Sequence, residues 1–148
     1  MDTVTSTASA VWEGNVARGS GKVSGERGIF EELPFDLPTR IGETSGDKTT
    51  PEELLAAAHV ACLTMSIGTA LAKRRTPAER LDASSHVTLD MTGERPQINH
   101  IAVEVRGTVP GIDDETFREV AQQAAGGCLI TRVVTNGGAT VEIDGALA

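Results

Sequence analysis

A long apolar segment with a clear helix start constrains the fold more than any other feature of this sequence. Thr50-Pro51-Glu52-Glu53 provides an N-cap hydroxyl, a proline at the first helical position and a glutamate at the third. From Leu54 to Ala72 nearly every residue is apolar or small, which predicts a central helix that is buried all round. Its alanines and Gly68 would let another backbone approach closely, whether from a sheet, a second helix or another subunit.

Short strands are predicted before this helix. The segments around residues 10–18, 22–25 and 29–34 are separated by glycines, which is typical of a small antiparallel meander. Residues 36–49 contain two glycines, a proline and no hydrophobic period, so we expect a loop there.

A hairpin, a second helix and a last strand are predicted after the central helix. Apolar residues alternate at positions 87, 89 and 91 and again at 101, 103 and 105, which predicts two antiparallel strands. Asp113 is a helix N-cap, and Gly126-Gly127 ends that helix. A short apolar turn at 128–134 and a strand around Val141 and Ile143 follow. The pattern as a whole predicts an α+β fold.

Length and composition favour one domain and exclude some partners. A chain of 148 residues with 39% hydrophobic content is the usual size of a single domain, here 1–148, with residues 1–8 frayed. The net charge of −8 opposes nucleic-acid binding, and aromatic content of 3% with no Tyr removes the usual stacking platforms.

The expected compartment is the cytoplasm. The polar, Thr-rich start of the chain does not signal secretion, and the apolar run from Leu54 to Leu63 is too short to span a membrane. Two cysteines in such a chain would normally remain thiols, so any disulfide should be transient.

The residues alone leave the roles of Cys62 and Cys128 open. Cys62 lies three turns into its helix, beyond the reach of that helix's N-terminal dipole, and apolar neighbours would raise the pKa of its thiol. It is either an inert core residue or a nucleophile that needs a cation from elsewhere. Cys128 follows two glycines and would favour a thiolate if it opened a short helix; otherwise it too is a core residue.

Other polar groups have ordinary explanations. His59 lies one turn before Cys62 and could hydrogen bond within a site, although a packed structural histidine is the simpler interpretation. The histidines and cysteines show no metal-ligand spacing, so neither a metal nor another cofactor is expected. The basic run Lys73-Arg74-Arg75 suits the end of a helix.

Several motifs, in matching order, resemble those of the osmotically induced protein C (OsmC) family. They are Val11-Trp12-Glu13-Gly14, Arg18-Gly19-Ser20-Gly21, Thr39-Arg40, Pro51-Glu52-Glu53-Leu54, Ala57-Ala58-His59, Cys62 and Gly127-Cys128. The resemblance covers nearly the whole chain. It implies curved antiparallel sheets wrapped around two central helices in an intertwined homodimer, with active sites at the interface.

The resemblance also implies a function and a role for each site residue. Cys62 matches a peroxidatic cysteine, Cys128 a resolving cysteine, Arg40 an activating arginine and Glu52 its acidic partner. Because ten helical residues span about 15 Å, Glu52 cannot contact Cys62 along one helix. We therefore expect Glu52 to orient Arg40 or to serve the site of a partner subunit.

The activity that the resemblance implies is reduction of organic hydroperoxides, with hydrogen peroxide as a second substrate and an external dithiol as reductant. Two alternatives remain. One is a noncatalytic small-molecule binding protein on the same scaffold, and the other is a thiol redox sensor, against which the lack of a Cys-x-x-Cys motif argues.

Overall fold

The computed structural model describes residues 2–44 and 46–148. Contacts within the chain divide it into two units, the first ending at Leu54 and the second comprising Leu55–Ala148. The single domain expected from the length of the chain stays a prediction.

The first unit contains the expected antiparallel meander. Its strands are β1 (Ala8–Glu13), β2 (Ser20–Gly25) and β3 (Leu33–Phe35), in the order β1-β2-β3. Residues 2–7 precede β1 without regular secondary structure, but Ala8, expected to fray, already pairs with Gly25. The buried hydrophobic residues of the described chain all belong to the second unit, so the apolar side chains of this sheet lack a core of their own.

The segment expected to be a loop contains a short helix, α1 (Leu37–Arg40). Asp36 caps it, because its carboxylate accepts a hydrogen bond of 2.9 Å from the backbone N–H of Thr39. Pro38 fits the first turn, where no backbone N–H is required. The loop prediction was wrong for these four residues. The Asp36 cap and Pro38 together favour a helical turn that is too short to show a hydrophobic period.

The long helix α2 (Pro51–Lys73) begins where the sequence predicts. The hydroxyl of Thr50 accepts a hydrogen bond of 3.0 Å from the backbone N–H of Glu53, as an N-cap does. The carboxylate of Glu53 accepts a hydrogen bond from the hydroxyl of Thr49. The boundary between the two units falls within the first turn of this helix.

The second sheet has the order β4-β5-β6 and is mixed. Strands β4 (Arg80–Asp90) and β5 (Gln97–Thr108) form the predicted antiparallel hairpin, with a bulge after Thr88. Met91, expected in the strand, lies beyond its end and is exposed. Strand β6 (Thr140–Leu147) pairs parallel with β5. The expected sheets were antiparallel, so the parallel pairing of β5 with β6 is a correction. Parallel neighbours require a crossover connection, and here the crossover is helical.

That crossover consists of α3 (Asp114–Gly127) and α4 (Leu129–Asn136). Asp113 caps α3 as predicted, and the helix buries Phe117, Val120, Ala121 and Ala124. The segment after Cys128, expected to be a turn, is helical. No glycine or proline interrupts it before Gly137. The core of the second unit lies between this layer, the sheet and one face of α2.

Helix α2 is not buried all round in the single chain. His59, Leu63, Ile67 and Leu71 are fully buried and recur every four residues, so they form one face. Ala57, Ala58, Ala61, Met65 and Ala72 are exposed. The helix is long and apolar enough to span a membrane by length and composition, a test that the core helix of a soluble protein also passes.

Candidate active site

The structure brings Cys62 and Cys128 together within the second unit. Cys62 is half-buried on α2, and Cys128 is fully buried at the junction where α3 ends and α4 begins. The Cys128 thiol lies close enough to the sulfur of Cys62 to lower the pKa of that thiol by hydrogen bonding. Residues 66 positions apart thus meet because α4 begins against the middle of α2.

The surroundings of Cys62 favour its thiolate. Burial raises the pKa of the Cys62 thiol, but four hydrogen bonds outweigh burial and bring that pKa below its ordinary value. They come, in decreasing order of effect, from the backbone N–H of Ile130, the thiol of Cys128, the backbone N–H of Leu129 and the hydroxyl of Ser66. The sulfur therefore lies at the N-terminus of α4, where free N–H groups stabilise negative charge.

This geometry corrects the sequence-based account of both cysteines. We expected apolar neighbours to raise the pKa of Cys62 unless a cation intervened, because the N-terminus of its own helix is too distant. A different helix provides the donors. Cys128 does open that short helix, as its sequence suggested, but the free N–H groups of Leu129 and Ile130 act on Cys62.

Arg40 and Glu52 form an ion pair within the first unit. The guanidinium of Arg40 donates from Nη2 to Glu52 Oε1 at 2.7 Å, and from Nε to the two carboxylate oxygens at 3.0 and 3.3 Å. The Glu52 side chain is only 8% exposed, while that of Arg40 is 42% exposed. The pair supports the expectation that Glu52 orients Arg40, because a fork of this kind fixes the plane of the guanidinium.

His59 is a packed residue that bonds to α4. It is fully buried, and its Nε2 lies 2.8 Å from the hydroxyl oxygen of Thr131 in a hydrogen bond. Its Nδ1 is buried without a hydrogen-bond partner among the described residues. Burial lowers the pKa of His59, so the imidazole is neutral at pH 7. Among residues 2–44 and 46–148, no group of three or more His, Cys, Asp or Glu residues could hold a metal ion.

A groove of about 550 Å³ opens beside Cys62. Its wall along α2 continues from Cys62 for three turns to Lys73, and its other wall comes from α3 and the start of α4. The apolar contributors are Met65, Ala70, Ala124 and Leu129. Cys62 thus faces a mainly apolar groove that is large enough for a small organic molecule.

The sequence did not identify the groups that act on Cys62 from α4 or from the next turn of α2. Ser66 could have been found, because it lies one turn after Cys62 on the same helix. The N–H groups of Leu129 and Ile130 carry no side-chain signal. Their role becomes visible only in the tertiary structure, which places the start of α4 beside Cys62.

Comparison with known proteins decides the family. The family model described as OsmC-like protein matches residues 44–144. The chain belongs to the OsmC family. This confirms the resemblance carried by its motifs.

Relatives of this OsmC family member include named proteins. It is 36% identical to Peroxiredoxin OsmC of Escherichia coli (strain K12) over 132 residues, which cover 89% of this chain and 91% of the relative. It is 29% identical to the Organic hydroperoxide resistance protein of Xanthomonas axonopodis pv. citri (strain 306) over 105 residues, 69% of each chain.

Solved structures share the fold of this OsmC family member. An organic hydroperoxide resistance protein from Elizabethkingia anophelis has a TM-score of 0.74 at 20% identity, with 100% of both chains covered. One from Vibrio cholerae has a TM-score of 0.73 at 22% identity, covering 98% of this chain and 94% of that chain. The α+β architecture inferred from the sequence is therefore that of the family.

Proposed function

We propose that this OsmC family member is a thiol-dependent peroxidase that reduces organic hydroperoxides. The observation that carries the proposal is the sulfur of Cys62, half-buried in an apolar groove and hydrogen-bonded so that its thiolate is favoured. The names of its relatives point to the same chemistry. The thiolate is the nucleophilic form of cysteine, so lowering its pKa prepares it to attack.

The proposed first step is attack by the Cys62 thiolate on the distal oxygen of a hydroperoxide. An S–O bond forms, the O–O bond breaks, and the alkoxide takes a proton and leaves as an alcohol. Cys62 becomes a sulfenic acid. The thiol of Cys128 then attacks this sulfur, and a disulfide forms with release of water. An external dithiol reduces the disulfide and is itself oxidised to a disulfide.

Arg40 and Glu52 have positioning roles in this proposal. We assign Arg40 to the peroxide, whose oxygens it would hydrogen bond as negative charge moves from sulfur to the leaving alkoxide. Glu52, which pairs with it, keeps the guanidinium in one orientation.

The substrate class follows from the lining of the groove. Its apolar side chains favour an organic hydroperoxide over hydrogen peroxide, because they gain from contact with a hydrocarbon body. A noncatalytic binding protein could use the same groove, but it would have no need of a thiol with a lowered pKa. We place the protein in the cytoplasm, where dithiol reductants are available.

A second copy of this chain is the proposed partner. Apolar surface is exposed on one face of α2 and in the first unit, whose sheet has no hydrophobic core. In the first unit, Val11 of β1 is 64% exposed and Ile29, between β2 and β3, is 88% exposed. A homodimer would bury both.

The decisive experiment measures consumption of cumene hydroperoxide with dithiothreitol as reductant. Cys62→Ser should lose at least a hundredfold in kcat/KM, because a hydroxyl is a far weaker nucleophile than a thiolate. Cys128→Ser should accumulate a Cys62 sulfenic acid after one equivalent of peroxide, whereas the parent loses two hydrogens and gains a Cys62–Cys128 link, both seen by mass spectrometry. Parental rates in Cys62→Ser would overturn the peroxidase proposal.

A further inference from the structure

The start of α4 is not capped by the side chain of its own N-cap residue. Cys128 occupies the N-cap position and makes no side-chain hydrogen bond to the helix. Its own backbone N–H donates back to the carbonyls of Ala124 and Ala125. The next N–H groups, those of Leu129 and Ile130, lie close enough to the sulfur of Cys62 to lower the pKa of its thiol by hydrogen bonding. The sulfur and the helix end therefore satisfy each other, provided that they stay at the right separation.

A single buried side-chain bond lies next to these contacts. Thr131 follows Ile130 directly, is 8% exposed, and bonds through its hydroxyl to His59 Nε2 at 2.8 Å. His59 lies one turn before Cys62 on α2. Helices α2 and α4 are thus joined by two neighbouring sets of contacts. One is the side-chain bond between His59 and Thr131, and the other is formed by backbone N–H groups of α4 and the sulfur of Cys62.

We propose that His59 and Thr131 are positioning residues that hold the N-terminus of α4 against Cys62. A helix moves as a unit, so fixing its third residue also fixes the N–H groups of its first and second. The bond is shielded from water, since His59 is fully buried, and competition from solvent is therefore weak.

One of the two ring nitrogens of His59 makes no hydrogen bond to the described residues in this position. Its Nδ1 has no hydrogen-bond partner among the described residues although it is buried, which is an energetic penalty for a core side chain. An apolar residue would fill the same space without that penalty. The bond from Nε2 to Thr131 explains why an imidazole occupies this position. The His59–Thr131 bond, here called the latch, acts on the ionisation of Cys62, and its effect on turnover rests on the proposed peroxidase function.

The test is the pH dependence of Cys62 alkylation by iodoacetamide, followed by peptide mass spectrometry so that Cys128 is counted separately. Thr131→Val keeps the shape and removes the hydroxyl. We expect its alkylation rate at pH 7 to fall about tenfold, the loss expected when a hydrogen bond to a charged group is weakened. At a pH that fully ionises the thiol, variant and parent should react equally fast. Mere loosening of the fold would instead speed alkylation at every pH.

Matched variants make the result specific. Thr131→Ser retains the hydroxyl and should restore the parental profile. Thr135→Val is the control, because the hydroxyl of Thr135 donates only to backbone carbonyls of its own helix, those of Thr131 and Arg132. At the other end of the bond, His59→Gln keeps a polar atom near the position of Nε2 and His59→Asn does not, so only His59→Asn should slow alkylation. These two variants serve if Thr131→Val does not fold.

An unchanged profile in both Thr131→Val and His59→Asn would overturn the latch, and so would an equal shift in Thr135→Val. Peroxide consumption by the parent is measured separately. If the parent reduces no hydroperoxide while Thr131→Val still slows alkylation, the latch stands and the peroxidase proposal fails.

Discussion

At the scale of single residues, the ionisation of Cys62 depends on groups that lie far from it in the sequence. Two of the four hydrogen bonds to its sulfur come from backbone N–H groups, which every residue type except proline provides. A substitution at Leu129 or Ile130 by any residue other than proline leaves these donors in place. The chemistry is therefore sensitive to the position of α4 and tolerant of its composition at these two sites.

The Arg40–Glu52 pair yields a second residue-scale prediction. Arg40→Lys keeps the charge and loses the planar fork, while Glu52→Gln keeps the shape and loses the charge-assisted bonds. Each should lower kcat/KM for cumene hydroperoxide roughly ten- to a hundredfold, the equivalent of one hydrogen bond to a charged group. Steady-state kinetics measure the change.

The exposed pair Lys22–Glu32 in the same unit provides the control. Its side chains are 58% and 72% exposed, so Lys22→Gln should leave the rate unchanged. If Arg40→Lys and Glu52→Gln both match the parent, neither residue has the proposed role, and the groups of the second unit suffice to activate Cys62.

At the scale of elements, helix α3 approaches the second sheet closely at a glycine. The ring of Phe117 is fully buried and occupies the space where a side chain at Gly107 would begin. A Cβ there would lie 2.6 Å from the ring. The packing of α3 on β5 therefore requires the absence of a side chain at this position.

Gly107→Ala should consequently destabilise the fold by about 1–3 kcal/mol through overpacking. Gly126→Ala is the matched control in α3, because a Cβ at Gly126 meets no atom within 4 Å. There the same substitution should be neutral or add about 0.5–1 kcal/mol. Urea unfolding followed by circular dichroism distinguishes the two, and equal effects would contradict the packing argument.

The sequence predicted elements well where their signals are local. The start of α2 and the cap of α3 are each encoded within four residues, and the hairpin of β4 and β5 follows from alternation. Alternation predicts a strand at Val141 and Ile143 but does not identify its neighbour, so the parallel pairing of β6 could not be predicted. The cysteine pair was identified through family motifs, whereas the donors from α4 depend on tertiary placement.

At the scale of the whole molecule, the exposed apolar face of α2 leads to a prediction about assembly. Ala61 is exposed on that face and lies outside the groove. Ala61→Glu would place a charge in the proposed dimer interface, where an unpaired buried carboxylate is costly. We expect the parent to sediment as a dimer and the variant to shift toward a monomer at the same concentration.

A control for charge is available on α3. Gln123 is exposed on the polar face of that helix, so Gln123→Glu adds the same charge away from α2 and should leave sedimentation unchanged. A parent that is monomeric at micromolar concentration, with full peroxidase activity, would contradict both the homodimer and any site shared between subunits.

Strand β5 lies at the centre of the second sheet and is paired along both of its edges. Its residues 100–107 align with β4 on one side and with β6 on the other, whereas Asn99 is passed over at the bulge and residues 91–96 lie outside the strands. Deleting one residue from 100–107 would misalign two ladders at once and turn core side chains outward. Natural variation in the length of this hairpin should therefore be confined to its tip, where insertions disturb neither neighbour.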